Sequence, residues 1–369
     1  MDGDSVRGER GCRGNLVNVR FSHSDSLFSF KVRTSLRIPA PSIDDGLPLT
    51  LYDSLTTNLP LPTMAYTDFS FPPSTPVFPH ASVVQAYLRA YADHFQLKPL
   101  IDFNTSVRRV RWTPPKWTVQ LSTGKIRMFD LLVVANGHHR MPRYPDIPGL
   151  SDWLGSGKAS HSVYYRNPRS FGNMVLVVGN GPSGQDISTE LRSAAKTVIH
   201  SIKSAASAVT SQEDEKFRVK GRVREFRPHG QVMFEDGSIE ANVDHCILAT
   251  GYELSFPFFS DDVIRAAMPP LSMPSLPDSL YNSLYHVFPL ARHLFPAQTR
   301  YPLSSIAFMG LLVRVSPLPL VEAQAHATVH VFAHPEALDV NREAGEVMAR
   351  HEMLRARFCD EDALSVAKS

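Results

Sequence analysis

The spacing of apolar residues changes along the chain and predicts alternating strands and helices. Residues 83–95 carry apolar side chains at intervals of three and four, which indicates an amphipathic helix. Met174–Val178 is a continuous apolar run, typical of a strand buried on both faces, and Pro182–Ala195 again has helical spacing. Thr197–Ser201 is the next predicted strand. Together these segments form one βαβ unit, which predicts an α/β fold with a parallel sheet.

The other segments extend this alternation. Strands are predicted at Ile101–Val110, Trp117–Leu121, Phe129–Ala135, Cys246–Ala249 and Ser305–Leu312. Residues 217–250 are predicted to form a meander of short strands that closes with Cys246–Ala249. A C-terminal helix is predicted from about Leu320 onward.

The composition of the chain argues against several classes of function. The 369 residues suggest about two to three domains, and 38 basic against 36 acidic side chains leave a net charge of +2, which disfavours a dedicated nucleic-acid binder. Cys12, Cys246 and Cys359 form no C-x-x-C pair and no cluster with histidines. Neither a disulfide framework nor a metal site is therefore indicated, and a reducing, cytoplasmic location is expected. No apolar run reaches the ~20 residues that span a bilayer, and no secretory signal is recognisable.

A glycine-rich loop follows the strand Met174–Val178 and opens the next helix. Its pattern is G-x-G-x-x-G, and in this context the first glycine permits a tight turn, the second lets backbone N–H groups approach a pyrophosphate, and the third lets helix and strand pack closely. The helix N-terminus adds partial positive charge. The alternative is a glycine turn that only packs a helix on a sheet. The candidate cofactor-binding residues of this loop are Gly179, Asn180, Gly181, Pro182, Ser183 and Gly184.

The residues about twenty positions after Gly179 indicate which nicotinamide cofactor is used. An NAD-binding protein places an acidic residue there to bind the ribose hydroxyls, whereas this chain has Ser201, Lys203 and Ser204. Hydroxyls and a cation suit the 2′-phosphate of NADPH, so these three residues are candidate NADPH ligands. For Lys203 the alternative is an ordinary solvated lysine.

Several stretches, in order along the chain, resemble the flavin-containing monooxygenase family. They are LYDSLTTNLP, FSFPPSTPVFPH, SVVQAYLRAYADHF, VVANGHH, GKASHSVYYRNP, the glycine loop, ATGY and the C-terminal IAFMGLL, and they cover roughly residues 47–335. The stretch GKASHSVYYRNP is similar to the family's identifying motif F-x-G-x-x-x-H-x-x-x-[FY]. Gly157, His161 and Tyr165 match it, while Gly155 stands where phenylalanine is expected. His161 and Tyr165 are expected to shape the linker and not to transfer protons.

The resemblance implies a Rossmann-like, three-layer FAD/NAD(P)-binding fold. An NADPH-binding domain at residues 151–245 would be inserted in a discontinuous FAD-type domain at residues 47–150 and 246–369. Residues 1–46 are polar, basic and atypical of the family, and are expected to be a loop or a disordered segment.

The resemblance departs from the family at the first glycine loop, which binds FAD in other members. Gly8, Gly11 and Gly14 are spaced by three, but they follow no apolar strand and open no helical pattern. The flavin domain is therefore expected to be incomplete. Two hypotheses follow: the chain is an incomplete gene model or splice form of an active enzyme, or it is a product that binds flavin weakly or not at all.

The chemistry that the resemblance implies depends on the two cofactors. NADPH reduces FAD, the reduced flavin captures O₂, and the flavin hydroperoxide oxygenates a soft nitrogen or sulfur atom of a small molecule, as in an N,N-dimethylaniline monooxygenase. One alternative is a Baeyer–Villiger oxygenase, against which the identifying motif argues. The other is a truncated, catalytically deficient NADPH-binding remnant.

Two further sites follow from the resemblance. Asn58 matches an asparagine that lies beside the flavin in the family and is the candidate catalytic residue. Ala249, Thr250 and Gly251 are small residues at a strand end, where backbone would approach the flavin. Without the family, Asn58 is a loop residue before Leu59-Pro60, and residues 249–251 are a plain strand-to-loop turn.

Overall fold

A computed structural model of the chain describes residues 51–194, 196–203, 216–270 and 275–357, and the backbone of two short strands at 17–18 and 31–32. The expectation for residues 1–46 therefore lies outside the described residues, apart from those two strands.

Short strands, loops and a few helices make up the described part of the chain. In chain order, the strands are β1 (Val17–Asn18), β2 (Lys31–Val32), β3 (Val107–Thr113), β4 (Lys116–Leu121), β5 (Ile126–Phe129), β6 (Leu132–Val134), β7 (Met141–Pro142), β8 (Ala159–His161), β9 (Met174–Val178), β10 (Thr197–Ser201), β11 (Phe217–Lys220), β12 (Val223–Arg227), β13 (Gln231–Phe234), β14 (Ile239–Glu240), β15 (His245–Leu248), β16 (Tyr252–Glu253), β17 (Ile264–Arg265), β18 (Leu280–Asn282), β19 (Val287–Phe288), β20 (Leu290–Ala291), β21 (Phe295–Pro296) and β22 (Ile306–Phe308). The helices are α1 (Ala81–His94), α2 (Leu150–Gly155), α3 (Pro182–Ser193), α4 (Pro317–Ala333) and α5 (Val340–Arg357). Short 3₁₀ helices lie at Leu61–Thr63, Lys98–Leu100, Ser162–Tyr164, Pro168–Ser170, Leu303–Ser305 and Pro335–Ala337.

A five-stranded sheet with the order β11–β10–β9–β15–β8 forms the centre of the glycine-loop region, and each neighbouring pair in it is parallel. Helix α3 packs on one face through Ile187 and Leu191, which are completely buried. Helix α2 and the strands β12 and β13 cover the other face, where Trp153 and Phe226 belong to the core. The result is a layer of helix, a parallel sheet and a second covering layer, and the predicted three-layer α/β fold is confirmed.

A second core lies outside this sheet. The parallel pair β22–β6 packs against the antiparallel sheet β3–β4–β5, and the fully buried Trp117 and Phe308 lie in their shared core. This core draws its residues from positions 107–134 and 254–311, which flank the five-stranded sheet in sequence. The division into an NADPH-binding domain at residues 151–245 and a discontinuous FAD-type domain remains a prediction.

Some predicted elements were wrong in their extent or partners. The run Phe129–Ala135 forms two strands, because the chain turns at Asp130 and Leu131 between β5, which pairs with β4, and β6, which pairs with β22. Strand β11 belongs to the parallel sheet and not to the meander, since its backbone pairs with β10. The predicted strand Ile101–Val110 begins only at Val107, because Asn104 adopts a left-handed conformation in a preceding turn.

Helix α4 begins at Pro317, before the predicted start near Leu320. Proline is well tolerated in the first turn of a helix, where its missing N–H has no partner to lose. Within the described part of the chain, the helices are too short or too polar to cross a membrane.

Candidate functional site

The glycine loop lies at the carboxyl edge of the five-stranded sheet, between β9 and α3. The N–H of Gly179 donates to the carbonyl of Ser201 at 2.9 Å, and Nε2 of the buried His200 lies 2.8 Å from the carbonyl oxygen of Gly179. Burial lowers the pKa of His200, so the imidazole is neutral and its Nε2–H donates to that carbonyl. Two bonds therefore tie the loop to the end of the neighbouring strand β10.

The three glycines of the loop meet different surroundings. A Cβ on Gly179, whose φ is +114°, would lie 2.3 Å from the carbonyl oxygen of Ala249, and a Cβ on Gly184 would lie 2.0 Å from the carbonyl oxygen of Gly179. Both positions need glycine because backbone passes too close for a side chain. A Cβ on Gly181 would meet no protein atom within 4 Å. Fold packing therefore explains two of the glycines and leaves the third unexplained.

The open space at Gly181 lies where the glycine pattern predicts a dinucleotide pyrophosphate. Gly181 is the N-cap residue of α3, its backbone is extended, and no side chain caps the helix. Pro182 has no N–H, so the N–H groups that an anion could meet here are those of its neighbours in the first turn, and the helix dipole favours negative charge there. Asn180 and Pro182 are exposed beside Gly181, and Ser183 is half-buried. These residues would hold the pyrophosphate of NADPH.

The predicted 2′-phosphate ligands at the end of β10 differ in their availability. Ser201 is only 2% exposed, and its hydroxyl donates to the carbonyl of Gly221 at 2.8 Å, so this hydroxyl stabilises the sheet edge. Lys203 is exposed two residues further on. Ser204 lies outside the described residues. The phosphate prediction therefore depends mainly on Lys203.

The segment Ala249–Gly251 joins the glycine loop to the linker between the two cores. Ala249 is buried, and its methyl group lies in ordinary contact distance of the Cβ position of Gly184. The Thr250 carbonyl accepts a hydrogen bond from the Arg143 guanidinium, and its hydroxyl donates to the Arg143 carbonyl at 2.5 Å. The Gly251 carbonyl accepts from the Arg143 backbone N–H at 3.0 Å, and its φ of +80° suits glycine. These polar groups bind the linker, and cofactor contact by residues 249–251 remains a prediction.

His161, a residue of the identifying motif, is hydrogen-bonded to the same junction. Its side chain is completely buried, Nδ1 accepts the backbone N–H of Val163 at 3.1 Å, and Nε2 lies 2.9 Å from the Gly251 carbonyl oxygen. Burial, with a smaller contribution from the nearby Arg143 charge, outweighs the hydrogen bond to Gly251 and lowers the pKa of His161 to about 4. The imidazole is therefore neutral with its proton on Nε2, which donates to Gly251. This histidine fixes the linker.

Two tyrosines hold α3 in place, and the sequence pattern does not identify their partners. The hydroxyl of Tyr165 donates to Glu190 at 2.8 Å, and the hydroxyl of Tyr52 donates to Asp186. The two rings also meet edge to face, with centroids 5.9 Å apart. Asp186 and Glu190 are one helical turn apart, a spacing that marks one face of α3 but does not identify the tyrosine partners.

Asn58 lies six residues after Tyr52, in a loop that is bonded to the start of α1. The Thr57 N–H donates to the carbonyl of Pro79 at 2.9 Å, which fixes the backbone next to Asn58. The Asn58 side chain is exposed and makes no hydrogen bond to another described residue. The amide is thus available to a ligand, and its catalytic role remains a prediction.

The carboxyl ends of β6 and β22 meet in the second core. The Met309 N–H donates to the Val134 carbonyl at 2.8 Å, and the His138 ring Nδ1 lies 2.8 Å from the Gly310 carbonyl oxygen. Strand β15 of the five-stranded sheet pairs with a strand on each side. Strand β6 pairs only with β22 among the described residues. No described glycine loop and helix N-terminus lie beside β6. The described residues thus offer FAD these strand ends but no pyrophosphate cradle.

Comparison with known proteins assigns the chain to a family. A model of flavin-binding monooxygenase-like proteins matches residues 40–217 and 214–368, which together span most of the chain. The chain belongs to the flavin-binding monooxygenase-like family. The cofactors of this family are FAD and NADPH.

Individual members of the family show how much of their length the chain covers. It is 33% identical over 299 residues to the flavin-containing monooxygenase FMO GS-OX5 of Arabidopsis thaliana, which matches 76% of this chain and 62% of that protein. It is 32% identical to the thiol-specific monooxygenase of Saccharomyces cerevisiae, over 76% of this chain and 65% of that protein. The solved structure of S-allyl-L-cysteine S-oxygenase from Allium sativum superposes with a TM-score of 0.70 at 28% identity, over 84% of this chain and 69% of that chain. The chain thus spans somewhat less than two thirds of the two curated relatives.

Proposed function

We propose that this protein is an NADPH-dependent flavin monooxygenase that oxygenates a soft sulfur or nitrogen atom of a small molecule. The observation that carries the proposal is the open cradle at Gly181, in a chain that belongs to the flavin-binding monooxygenase-like family. The cradle is where a cofactor's phosphates would bind, and the protein itself gives no packing reason for glycine at that position.

The residues of the chain have three tasks in this proposal. The loop Gly179–Gly184 binds and orients the dinucleotide, and the neutral His161 keeps the linker in one conformation. The exposed amide of Asn58 donates a hydrogen bond at the reacting centre. When bound, NADPH supplies the hydride and the flavin supplies the activation of O₂.

Sulfur is the favoured atom. The names of two relatives, the thiol-specific monooxygenase and the S-allyl-L-cysteine S-oxygenase, both concern sulfur compounds. Thioethers and thiols are soft nucleophiles, as are tertiary amines, so an assay should offer both kinds of atom.

The test is product formation by the purified chain with added FAD and NADPH. Methyl p-tolyl sulfide and N,N-dimethylaniline serve as probes, and chromatography measures the sulfoxide and the N-oxide. We expect sulfoxide in excess of N-oxide, and we expect Asn58→Ala to lower product formation at least about tenfold, as loss of a transition-state hydrogen bond does. Absence of both products, in a preparation that binds both cofactors, would reject the proposal.

A second candidate function is NADPH binding without oxygenation. The observation that favours it is the free edge of β6 among the described residues, where the FAD domain would need a further strand and its phosphate loop. The two candidates differ in flavin binding. Protein mixed with FAD and then desalted will keep the flavin absorption bands if the first candidate holds, and a colourless preparation that binds NADPH would favour the second.

A further inference from the structure

The carboxyl ends of β10 and β11 carry two exposed cations, Lys203 and Arg222. We propose that Arg222 is a second ligand, beside Lys203, of the 2′-phosphate of NADPH and helps to select NADPH over NADH. This inference rests on the proposed function, because it requires a nicotinamide dinucleotide at the glycine loop. Neither the glycine motif nor its spacing to β10 points to Arg222, which lies 43 positions after Gly179 by subtraction of the residue numbers.

The register of the two strands brings these residues together. Ser201 pairs with Lys220, and the Ile202 N–H continues the ladder by donating to the Lys220 carbonyl at 2.9 Å. The Ser201 hydroxyl donates to the carbonyl of Gly221 at 2.8 Å, which holds the two chains side by side beyond the last paired residues. Lys203 and Arg222 each lie two residues beyond this last pair, at corresponding positions of the two chains.

Arg222, two residues after β11, differs from the cations within that strand. Arg218 pairs with Glu240 at 2.9 Å, and Lys220 lies 3.7 Å from the same carboxylate, so Glu240 offsets both of those charges. Arg222 is exposed and forms no ion pair with another described residue. Its backbone carbonyl accepts the N–H of Glu235 at 2.9 Å, which fixes the position of the residue without using its guanidinium. A dianion bound beside Arg222 would supply the counter-charge that Glu240 supplies to Arg218.

The position suits the adenosine half of the cofactor. The bond between the Gly179 N–H and the Ser201 carbonyl, at 2.9 Å, joins the pyrophosphate loop directly to the end of β10. In this class of fold, the residues that follow that strand bind the ribose 2′ position. The hydroxyl of Ser201 is already bonded to Gly221, so a phosphate there needs other donors. Lysine supplies one point charge, and the planar arginine fork supplies two parallel N–H donors to phosphate oxygens.

The experiment compares two ligands that differ only in the 2′-phosphate. Binding of NADP⁺ and NAD⁺ to the purified full chain is measured by titration calorimetry, which requires no catalytic turnover. The variants are Arg222→Gln, Arg222→Lys and the matched control Arg224→Gln, which removes the same charge from an exposed position on β12. Circular dichroism checks that each variant is folded.

We expect Arg222→Gln to weaken NADP⁺ binding about tenfold and NAD⁺ binding less than about twofold, because only NADP⁺ carries the phosphate. Arg222→Lys should lose less affinity for NADP⁺, since it keeps the charge, and Arg224→Gln should bind both ligands as the wild type does. The affinity of Arg222→Gln for NADP⁺ should also depend less on salt.

Three results would overturn the inference. If Arg222→Gln binds NADP⁺ as the wild type does, Arg222 does not contact the phosphate, while the proposed function stands. If both ligands lose affinity equally, the effect is not directed at the 2′-phosphate. If the wild type itself binds neither dinucleotide, the proposed function fails as well, and this outcome is distinct from the other two.

Discussion

At the residue scale, the glycines of the loop differ in whether packing within the protein requires them. Gly184 has no room for a side chain because the carbonyl oxygen of Gly179 would lie 2.0 Å from its Cβ. Gly181 has room, and its φ of −73° is one that alanine adopts readily. The same conservative substitution should therefore have opposite effects at the two positions.

We predict that Gly181→Ala keeps the stability of the protein within about 0.5 kcal/mol and weakens NADPH binding at least about tenfold, because the methyl group fills the phosphate cradle. Gly184→Ala should lower the free energy of unfolding by about 2 kcal/mol or more, since backbone must move to make room. Urea unfolding and NADPH titration measure the two effects. An unchanged NADPH affinity in Gly181→Ala would remove the loop from the cofactor site.

His161 gives a residue-scale prediction on pH. Its pKa of about 4 in the folded protein lies below the ordinary value of 6.5, so the unfolded chain takes up a proton first as the pH falls. The contribution of His161 is therefore fully present above about pH 6.5 and is lost as the pH falls toward 4, by about 3 kcal/mol in total.

The variant His161→Asn keeps an N–H donor and removes the titration. We predict that it is less stable than the wild type at neutral pH, and that its stability falls less steeply between pH 6.5 and 4. Urea unfolding at several pH values measures both. His326→Asn, at an exposed position of α4, is the control, and equal slopes in the His161→Asn and wild-type proteins would contradict the assignment.

At the element scale, helix α3 is held from outside its own sheet. Its apolar face packs on β9 and β10, and its carboxylates Asp186 and Glu190 bind Tyr52 and Tyr165. Burial, assisted by the Glu190 carboxylate, raises the pKa of Tyr165, so the phenol keeps its proton and donates. The helix that follows the glycine loop is thus tied to the identifying motif and to the segment that leads to Asn58.

We predict that Tyr165→Phe lowers the free energy of unfolding by about 1–2 kcal/mol, because the half-buried Glu190 loses the hydrogen bond from the buried Tyr165 hydroxyl while the ring packing is kept. Tyr164→Phe is the matched control, since Tyr164 is the neighbouring residue and is 51% exposed. Chemical denaturation measures the difference between the two variants. If they are equally stable, the Tyr165 hydroxyl does not hold the helix.

At the scale of the whole molecule, the two cores are joined through a small set of bonds. The linker strand β7 pairs with β16, and Arg143 adds bonds to Thr250 and Gly251. A ligand at the glycine loop therefore binds next to this junction, since Ala249 contacts the loop and begins the second connection. Binding should stabilise the chain as a unit.

We predict that NADP⁺ at about a hundred times its Kd stabilises the folded protein by about 2.7 kcal/mol. NAD⁺ at the same concentration should give a smaller rise in Tm, and Lys203→Glu should remove most of the difference between the two ligands, because a carboxylate repels the 2′-phosphate. Differential scanning fluorimetry measures the shifts. Equal rises in Tm with NAD⁺ and NADP⁺ in the wild type would argue against a phosphate site at the end of β10.

The sequence alone determined the features that depend on neighbouring residues. The helical spacing of α1, the βαβ unit from Met174 to Ser201 and the glycine pattern were predicted correctly, because periodicity and turn chemistry are local properties. The family resemblance was confirmed for the same reason, since its motifs are short and lie in order along the chain.

The tertiary structure decided which predicted residues are available to a ligand. Ser201 is buried against Gly221, and Thr250 and Gly251 are bonded to Arg143, while Gly181 is open. It also placed β11 beside β10, so that Arg222 follows the carboxyl end of the strand next to β10. These outcomes depend on the register between strands and on contacts between residues far apart in sequence, and local spacing carries no information about either.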